Sequence, residues 1–192
     1  MAGTPTAAQT MRQELIERAR RGDREAFGQL AVQDIDRLHA VARLILRDSA
    51  LAEDAVQEAL IRAWRQLPKL RDITSYDGWL YRILTRAAVD ESGRRRRFVA
   101  NVQNLRIEPN VADETRSVAD REELERGFRR LSLEHRAVVV LHHYAGLPLP
   151  EVAAALGIRP GTAKSRYHYA MAALRAGLDA DARLTGAEGV RA

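Results

Sequence analysis

The sequence from Leu147 to Ala170 contains a short apolar segment, a glycine, and then a basic and polar segment. In the second segment the side chains opposite an inward apolar stripe combine cations, which bind phosphates, with hydroxyl and imidazole groups, which hydrogen-bond base edges. The candidate DNA-contacting residues are Arg159, Thr162, Lys164, Ser165, Arg166, His168 and Tyr169. The chemistry that these residue types support is noncovalent recognition of duplex DNA.

Two short helices joined at a glycine would position these side chains. Val152, Ala153 and Leu156 supply the inner side of the first helix, and Gly157 can adopt a positive φ at the corner. The basic and polar residues lie in the first two turns of the second helix, where a recognition helix enters the major groove. The pattern predicts a helix-turn-helix. A solvated face in an ordinary helical bundle is the alternative that the motif by itself leaves open.

Helical periodicity extends through most of the chain and no segment alternates as a strand does, so we predict an all-α fold. One apolar stripe runs from Leu38 to Leu46, and Asp48 can cap the helix that follows. A second stripe runs from Val56 to Leu67 and ends at Pro68. A third begins at Leu80 and continues into a run of four arginines.

The periodicity fails between residues 100 and 120, where polar residues and proline accumulate. We therefore predict two small helical domains, residues 11–99 and 121–178, joined by a flexible linker at 100–120. In the second domain, Ser132 can cap a helix that ends at Gly146. Residues 1–10 are expected to form a disordered amino-terminal tail, and residues 179–192 a flexible carboxy-terminal tail.

Composition excludes several classes of function. The chain has 192 residues, a formal net charge of +5 and no cysteine, so disulfides, thiolate zinc sites and cysteine nucleophiles are absent. We find no phosphate-binding glycine loop, nucleophile arrangement or metal-ligand spacing, and the adjacent His142 and His143 fit packing or capping better than metal binding. No catalytic residue, metal or cofactor is predicted. With no signal peptide or apolar span, we expect a cytoplasmic protein without membrane insertion.

Two separate blocks of sequence resemble the sigma-70 family of bacterial transcription initiation factors. The segments from Leu131 to Arg136 and from Gly161 to Arg166 are similar to region 4 of these factors. The segment from Glu53 to Trp64 is similar to the polymerase-binding helix of region 2, and Trp79-Leu-Tyr-Arg-Ile83 to its promoter-melting helix. Two blocks in this order, without further domains, are typical of the extracytoplasmic-function (ECF) type.

The resemblance implies a two-domain sigma factor that binds core RNA polymerase through the clamp helices and the flap. It would direct polymerase to promoter DNA, melt the promoter and initiate transcription without covalent chemistry of its own. Its implied regulator is an anti-sigma factor that holds it inactive until a signal releases it. We expect it at the nucleoid when active, or at the membrane when a membrane-bound anti-sigma factor sequesters it.

The resemblance also assigns residues to each interface. Region 4, which contains the helix-turn-helix, would contact the minus-35 element. The face of region 2 implied to contact polymerase carries Asp54, Gln57, Glu58, Ile61 and Arg65. The minus-10 element would be bound by the loop from Leu70 to Tyr76 and by the residues Tyr76, Trp79, Tyr81, Arg82, Arg86, Arg94, Arg95, Arg96 and Arg97. The aromatic rings would stack on an extruded base and the arginines would hold phosphates. Packing in the core is the alternative role for the aromatic residues.

Four positions depart from the usual pattern of the family. Arg86 stands where Asn is usual and Tyr169 where Arg is usual, which puts the promoter sequence in doubt. Ala163 replaces Val, and Pro148 replaces a Ser or Thr cap, although proline can begin a helix by presetting φ. The main alternative function is a stand-alone helix-turn-helix regulator that acts without recruiting polymerase. A small helical hydrolase or nuclease is the second.

Overall fold

A computed structural model describes residues 7–103 and 127–188, and the side chains of residues 7–97 and 127–176. The chain divides into two compact units, Met1–Val102 and Gln103–Ala192. All secondary-structure elements in the described residues are helical, as the sequence predicts.

The described residues of the first unit form four α-helices. They are α1 (Ala7–Arg20), α2 (Arg24–Leu46), α3 (Ser49–Gln66) and α4 (Tyr76–Gln103), with 3₁₀ turns at Leu67–Lys69 and Ile73–Ser75 between α3 and α4. Aspartates cap two of these helices. The Asp23 carboxylate accepts a hydrogen bond from the backbone N–H of Ala26 at the start of α2, and the Asp48 carboxylate accepts one from the backbone N–H of Leu51 at the start of α3. The cap predicted at Asp48 is confirmed.

The three apolar stripes predicted from the sequence form the core of this unit. All of the stripe from Leu38 to Leu46 is buried, and so is the stripe from Leu80 to Ala88. On α3, Val56, Ala59 and Ala63 are buried, whereas Trp64 is half-buried and its ring lies 5.1 Å from that of Phe27. Pro68 lies in the 3₁₀ turn that follows α3, because proline cannot continue the α-helical hydrogen bonds.

The second unit contains three described α-helices after a helical segment at 127–130. They are α5 (Leu133–Val139), which continues as a π-helical turn (Val140–Tyr144), α6 (Leu149–Leu156) and α7 (Pro160–Glu188). Ser132 caps α5 as predicted, and Pro148 occupies the N-cap of α6. Gly146 and Gly157 adopt φ of +73° and +66°, so glycine is needed at the end of the π-helical turn and at the corner between α6 and α7.

Small and branched side chains form the core of the second unit. Leu131, Val139, Ala170 and Leu174 pack together, and Phe128 packs against them. Val152 and Ala163, at 0% exposed, close the contact between α6 and α7. Because these buried residues are small, the two helices can approach closely.

Three expected boundaries differ from the observed ones. Residues 7–10, predicted to be disordered, form the first turn of α1. Residues 100–103, predicted to be linker, lie in α4, and α7 continues through residues 179–188, predicted to be a flexible tail. The other residues of the predicted linker lie outside the described residues. Within the described residues, no helix is long and apolar enough to cross a bilayer.

Candidate functional site

The helix-turn-helix is formed by α6, the turn at Gly157 and α7. Val152, Ala153 and Ala155 of α6 are buried, and so are Ala163 and Ala170 of α7. The Ile158 N–H donates to the Ala153 carbonyl at 3.0 Å, which fixes the left-handed corner. This packing turns the opposite side of α7 outward, as the sequence predicts.

Most of the predicted DNA-contacting side chains lie on that outward side. Arg159, Lys164, Ser165, His168 and Tyr169 are exposed, and Thr162 is half-buried. The Ser165 hydroxyl donates to the Thr162 carbonyl at 3.0 Å, so in this structure it satisfies the helix backbone. The exposed face therefore combines two cations, an imidazole and a phenol, the groups that bind phosphates and base edges.

Arg166 differs from the other cations of α7. Its guanidinium forms an ion pair of 2.6 Å with the Glu134 carboxylate of α5, and its side chain is 26% exposed. The predicted phosphate contact at Arg166 therefore competes with an internal carboxylate. The sequence analysis missed Glu134, because nothing local in the sequence relates two residues so far apart.

His135 is a second residue that the sequence analysis missed. Its ring stacks on Tyr169 with centroids 4.8 Å apart, and Ser132 Oγ lies 2.9 Å from His135 Nδ1. The Ser132 cap places His135 one turn into α5, beside the third turn of α7. The serine followed three residues later by histidine is the signal that could have found it.

The adjacent histidines have packing and capping roles. His142 Nδ1 donates to the Leu147 carbonyl at 2.8 Å, which agrees with the predicted capping role. A 3.1 Å hydrogen bond joins His143 Nε2 and the Tyr167 hydroxyl. Both histidines lie in the π-helical turn, and no group of three metal-ligating side chains occurs among the described residues.

In the first unit, the aromatic residues expected at the DNA surface lie in the core. Tyr76, Trp79 and Tyr81 are 3%, 7% and 1% exposed, so the expectation that an extruded base stacks on the faces of these rings is corrected, and only the edge of Trp79 borders a surface pocket. Arg12 lies over the Tyr76 ring at 5.5 Å, and Arg37 over the Tyr81 ring at 5.1 Å. Charged neighbours from α1 and α2 thus cover these rings, an arrangement that helical periodicity cannot reveal.

A shallow pocket remains beside the buried ring of Trp79. It has a volume of about 280 Å³ and is lined by Gln66, Lys69, Leu70, Arg71, Trp79 and Arg82. Of these, Trp79 and Arg82 were predicted by name, and Leu70 and Arg71 lie in the predicted loop. Lys69 and Gln66 were missed, and the signal for Lys69 is its basic character within the polar interval between two helices. Three cations beside an aromatic edge suit a nucleotide.

The arginine run after this pocket lies on the exposed side of α4. All four arginines of the run, Arg94, Arg95, Arg96 and Arg97, are exposed. Arg86, which precedes them on α4, is exposed as well. Arg94 pairs with Glu91, and Arg95 lies 4.0 Å from Asp48. Because these side chains are exposed to solvent, they are accessible for the predicted phosphate contacts.

A cluster of charges surrounds the start of α4. Asp34 is 2% exposed, and its Oδ1 accepts from Arg12 at 2.8 Å and from Arg37 at 3.0 Å. The same guanidiniums donate to Asp77 Oδ1 at 3.0 and 2.8 Å. The Tyr76 hydroxyl lies 3.4 Å from Asp34 Oδ2. The cluster therefore links α1, α2 and α4.

The pKa values at this cluster follow from burial and charge. Burial alone would raise the pKa of Asp77, but the hydrogen bond and charge of Arg37 and the charge of Arg12 outweigh it, so the pKa lies below its ordinary value. Burial, followed by the charge of Asp34, raises the pKa of Tyr76. The Tyr76 hydroxyl thus remains a proton donor at neutral pH.

The candidate protein-binding face lies on α3. Asp54, Gln57, Ile61 and Arg65 are exposed, and Ile61 is 47% exposed although it is apolar. Glu58 is half-buried and accepts from Arg62 Nε at 2.7 Å, while Arg62 Nη1 donates to Asp90 of α4 at 2.8 Å. Arg62 was missed, although its spacing of four residues from Glu58 is the signal for such a pair.

Sequence comparison matches both units to known families. Residues 31–98 match Sigma-70 region 2, and residues 121–174 match Sigma-70, region 4. The chain is 39% identical over 132 residues to the ECF RNA polymerase sigma factor SigL of Mycobacterium tuberculosis, covering 67% of this chain and 75% of SigL. It is 37% identical over 162 residues to SigM of the same organism, covering 84% of this chain and 81% of SigM. The chain belongs to the sigma-70 family, as an ECF sigma factor.

Solved structures are similar to this sigma factor in fold. RpoE in complex with the anti-sigma factor NepR from Bartonella quintana has a TM-score of 0.66 and 26% identity, over 81% of this chain and 98% of RpoE. CnrH in complex with the cytosolic domain of CnrY has a TM-score of 0.62 and 28% identity, over 88% of this chain and 97% of CnrH. These likenesses favour a sigma factor over a stand-alone helix-turn-helix regulator.

The family match divides the helices between the two regions. Region 2 covers most of α2, all of α3 and most of α4, whereas region 4 covers α5, α6 and the first half of α7. Helix α1 precedes the region 2 match. The minus-35 candidates therefore lie in region 4, and the minus-10 and polymerase-binding candidates lie in region 2.

Proposed function

We propose that this ECF sigma factor binds the clamp helices of core RNA polymerase through α3, and the flap through region 4. The single observation that carries the polymerase contact is the exposure of Ile61 among charged residues on α3. An exposed branched apolar side chain with a polar rim is suited to a protein interface. In region 2, Asp54, Gln57 and Arg65 supply that rim, while Glu58 is partly neutralised by Arg62.

The minus-35 element is contacted by α7 in this proposal. Arg159 and Lys164 bind phosphates, and His168 and Tyr169 face base edges, because all four are exposed on the outward side of the recognition helix. His135, stacked on Tyr169, holds that ring in one orientation. Tyr169 stands where the family usually has Arg, so base contacts there differ from the usual ones.

The minus-10 element is contacted by the loop at residues 70–76 and the cationic pocket beside it. Lys69, Arg71 and Arg82 surround the edge of Trp79, and an extruded base would enter there while the cations hold the displaced strand. Arg86 and the arginine run of α4 bind phosphates further along. Tyr76 and Tyr81 support this surface from within the core.

We also propose that the protein is a non-catalytic initiation factor that acts in the cytoplasm, where core polymerase is found. Its two working domains contain the segments matched to region 2, residues 31–98, and to region 4, residues 121–174. An anti-sigma factor holds it inactive, a proposal supported by the similarity to RpoE, whose structure is a complex with NepR. A membrane-bound inhibitor would hold the sigma factor at the membrane.

Binding of core polymerase to fluorescent sigma factor tests this function. We expect Ile61→Glu to weaken binding about tenfold, because a charge replaces an apolar contact at the interface. Val32→Glu is the matched control, since Val32 is also an exposed branched apolar residue, 76% exposed, but lies on α2 and not on α3. Equal affinity of wild type and Ile61→Glu would contradict this face, and no binding by wild type would contradict the function.

Copurification tests the proposed regulator. The sigma factor is coexpressed with the product of the reading frame adjacent to its own gene, and their complex is challenged with core polymerase. We expect a stable complex from which core polymerase is excluded. A complex that still binds core with full affinity would contradict the inhibitory role.

A further inference from the structure

Helix α1 contacts both ends of the loop at residues 70–76. The inference drawn from these contacts rests on the proposed function, in which this loop contacts the minus-10 element. The interior of the loop is held locally, because the Asp72 carboxylate accepts from Thr74 N at 2.9 Å and from Thr74 Oγ1 at 2.7 Å. These short-range bonds shape the loop but do not relate it to the helices. Its position must be set at its ends.

The carboxy-terminal end of the loop is held by the guanidinium of Arg12. Arg12 Nη2 donates both to Asp77 Oδ1 at 3.0 Å and to the buried Asp34 Oδ1 at 2.8 Å. Arg37 makes the same two contacts from α2. A charge buried at Asp34 needs paired partners, so this end of the loop is tied to α1 and α2 together.

The amino-terminal end of the loop is held by Arg20. Arg20 Nη1 donates to the Leu70 carbonyl at 3.2 Å, and its Nη2 donates to Glu17 at 2.9 Å. Glu17 fixes the guanidinium on α1, and the carbonyl belongs to a residue that lines the cationic pocket. Arg20 therefore links α1 to the backbone of the minus-10 surface.

The two contacts belong to one rigid element. Arg12 and Arg20 are eight residues apart, which is about 12 Å along a helix. Leu15, Ile16 and Ala19 between them are buried, so α1 cannot move without disrupting the core. One helix thereby fixes the distance between the two ends of the loop.

We propose that α1 positions the minus-10 loop through Arg12 and Arg20, and thereby sets how well the sigma factor captures the melted strand. Both are positioning residues, since neither lies among the proposed DNA contacts. Both also precede residue 31, where the region 2 match begins.

The test compares Arg20→Met with Arg21→Met in the full-length protein. Methionine keeps most of the apolar stem and removes the donor. Arg21 is the neighbouring cation; its side chain is 77% exposed, and its guanidinium lies 3.8 Å from the Glu17 carboxylate. Holoenzyme is assembled on a promoter that wild type transcribes, and opening is measured by permanganate reactivity of the minus-10 thymines. Hydrogen exchange of residues 70–76 and affinity for core are measured alongside.

We expect Arg20→Met to reduce opening by about threefold to tenfold, the value of one hydrogen bond, and to speed exchange in residues 70–76. Arg21→Met should match wild type, core affinity should change by less than about twofold, and Arg20→Lys, which keeps a donor, should recover most of the opening. Arg12→Met should reduce promoter opening more than Arg20→Met does, since Arg12 donates to two carboxylates and Arg20 donates to a neutral carbonyl of the loop.

Two results would overturn the inference. One is equal opening and equal exchange for Arg20→Met and Arg21→Met. The other is a loss of core affinity as large as the loss of opening, because a merely structural role would produce that. Failure of wild-type holoenzyme to transcribe would instead overturn the proposed function and the promoter half of this inference, while hydrogen exchange in the free protein would still decide whether α1 positions the loop.

Discussion

The minus-10 loop and the recognition helix are held in place by different forces. Ion pairs of Asp77 hold one end of the loop and a backbone hydrogen bond from Arg20 holds the other, and Asp34 is buried among the guanidiniums that pair with Asp77. Helix α7 is held by small apolar residues packed against α6, and its polar side chains remain outside. Loss of charge should therefore damage region 2 most, and added side-chain volume should damage region 4 most.

The largest effect is expected for Asp34→Ala. The substitution removes the buried one of the two carboxylates that Arg12 and Arg37 share, and breaking such a buried pair costs about 3 kcal/mol of unfolding free energy. Both tryptophans of the protein, Trp64 and Trp79, lie in region 2, so urea unfolding followed by tryptophan fluorescence reports this region alone. Asp36→Ala, on the exposed side of α2, is the control and should change little.

In region 4, a larger side chain in the core should lower the free energy of unfolding, as loss of a buried charge does in region 2. Ala153 of α6 is 1% exposed, and Ala153→Leu should cost about 2 kcal/mol of unfolding free energy because the packed core has no space for the larger side chain. Far-ultraviolet circular dichroism should show an earlier transition while the tryptophan signal is unchanged. Ala154→Leu adds the same volume at an exposed position, and an equal loss there would contradict the packing argument.

Charge on α7 should affect DNA binding rather than stability. Lys164→Ala should lower the dependence of log affinity on log salt by roughly 0.9 if Lys164 neutralises one phosphate. Arg166→Ala should change the slope less, because Glu134 already neutralises Arg166. Fluorescence anisotropy with a minus-35 duplex at several salt concentrations measures both, and a larger change for Arg166→Ala would reverse the assignment.

The smallest effect that we expect is a dependence of the stability of region 2 on pH in the acidic range. The pKa of Asp77 is lowered in the folded state, so the unfolded state takes up the proton first and stability falls as pH drops below about 4. Asp77→Asn removes this contribution and should flatten the pH profile of the urea midpoint. The tryptophan signal measures that profile, and identical profiles for wild type and Asp77→Asn would exclude the contribution.

Local patterns in the sequence predicted the elements, whereas contacts between distant residues were not predictable. Apolar periodicity placed the second half of α2, α3, α4 and the helix-turn-helix, but it did not identify α1 or the first half of α2. The caps at Asp48 and Ser132 were confirmed. The outward side of α7 follows from the same periodicity, so exposure there was predicted well.

The errors have a common physical cause. Arg12 and Asp77 are 65 residues apart, and no repeat or spacing relates them. Without that contact, the aromatic residues at the start of α4 fit either the core or a stacking surface. The structure places Tyr76 and Tyr81 in the core because cations from α1 and α2 cover their rings. The ion pair of Arg166 was missed for the same reason.

Reconstituted run-off transcription tests the central claim most directly. Purified core polymerase is incubated with a library of genomic promoter fragments, with and without this sigma factor, and the transcript ends are mapped. The account predicts transcripts with defined starts that appear only with the sigma factor and share two upstream elements. Identical products with and without folded sigma factor would contradict it.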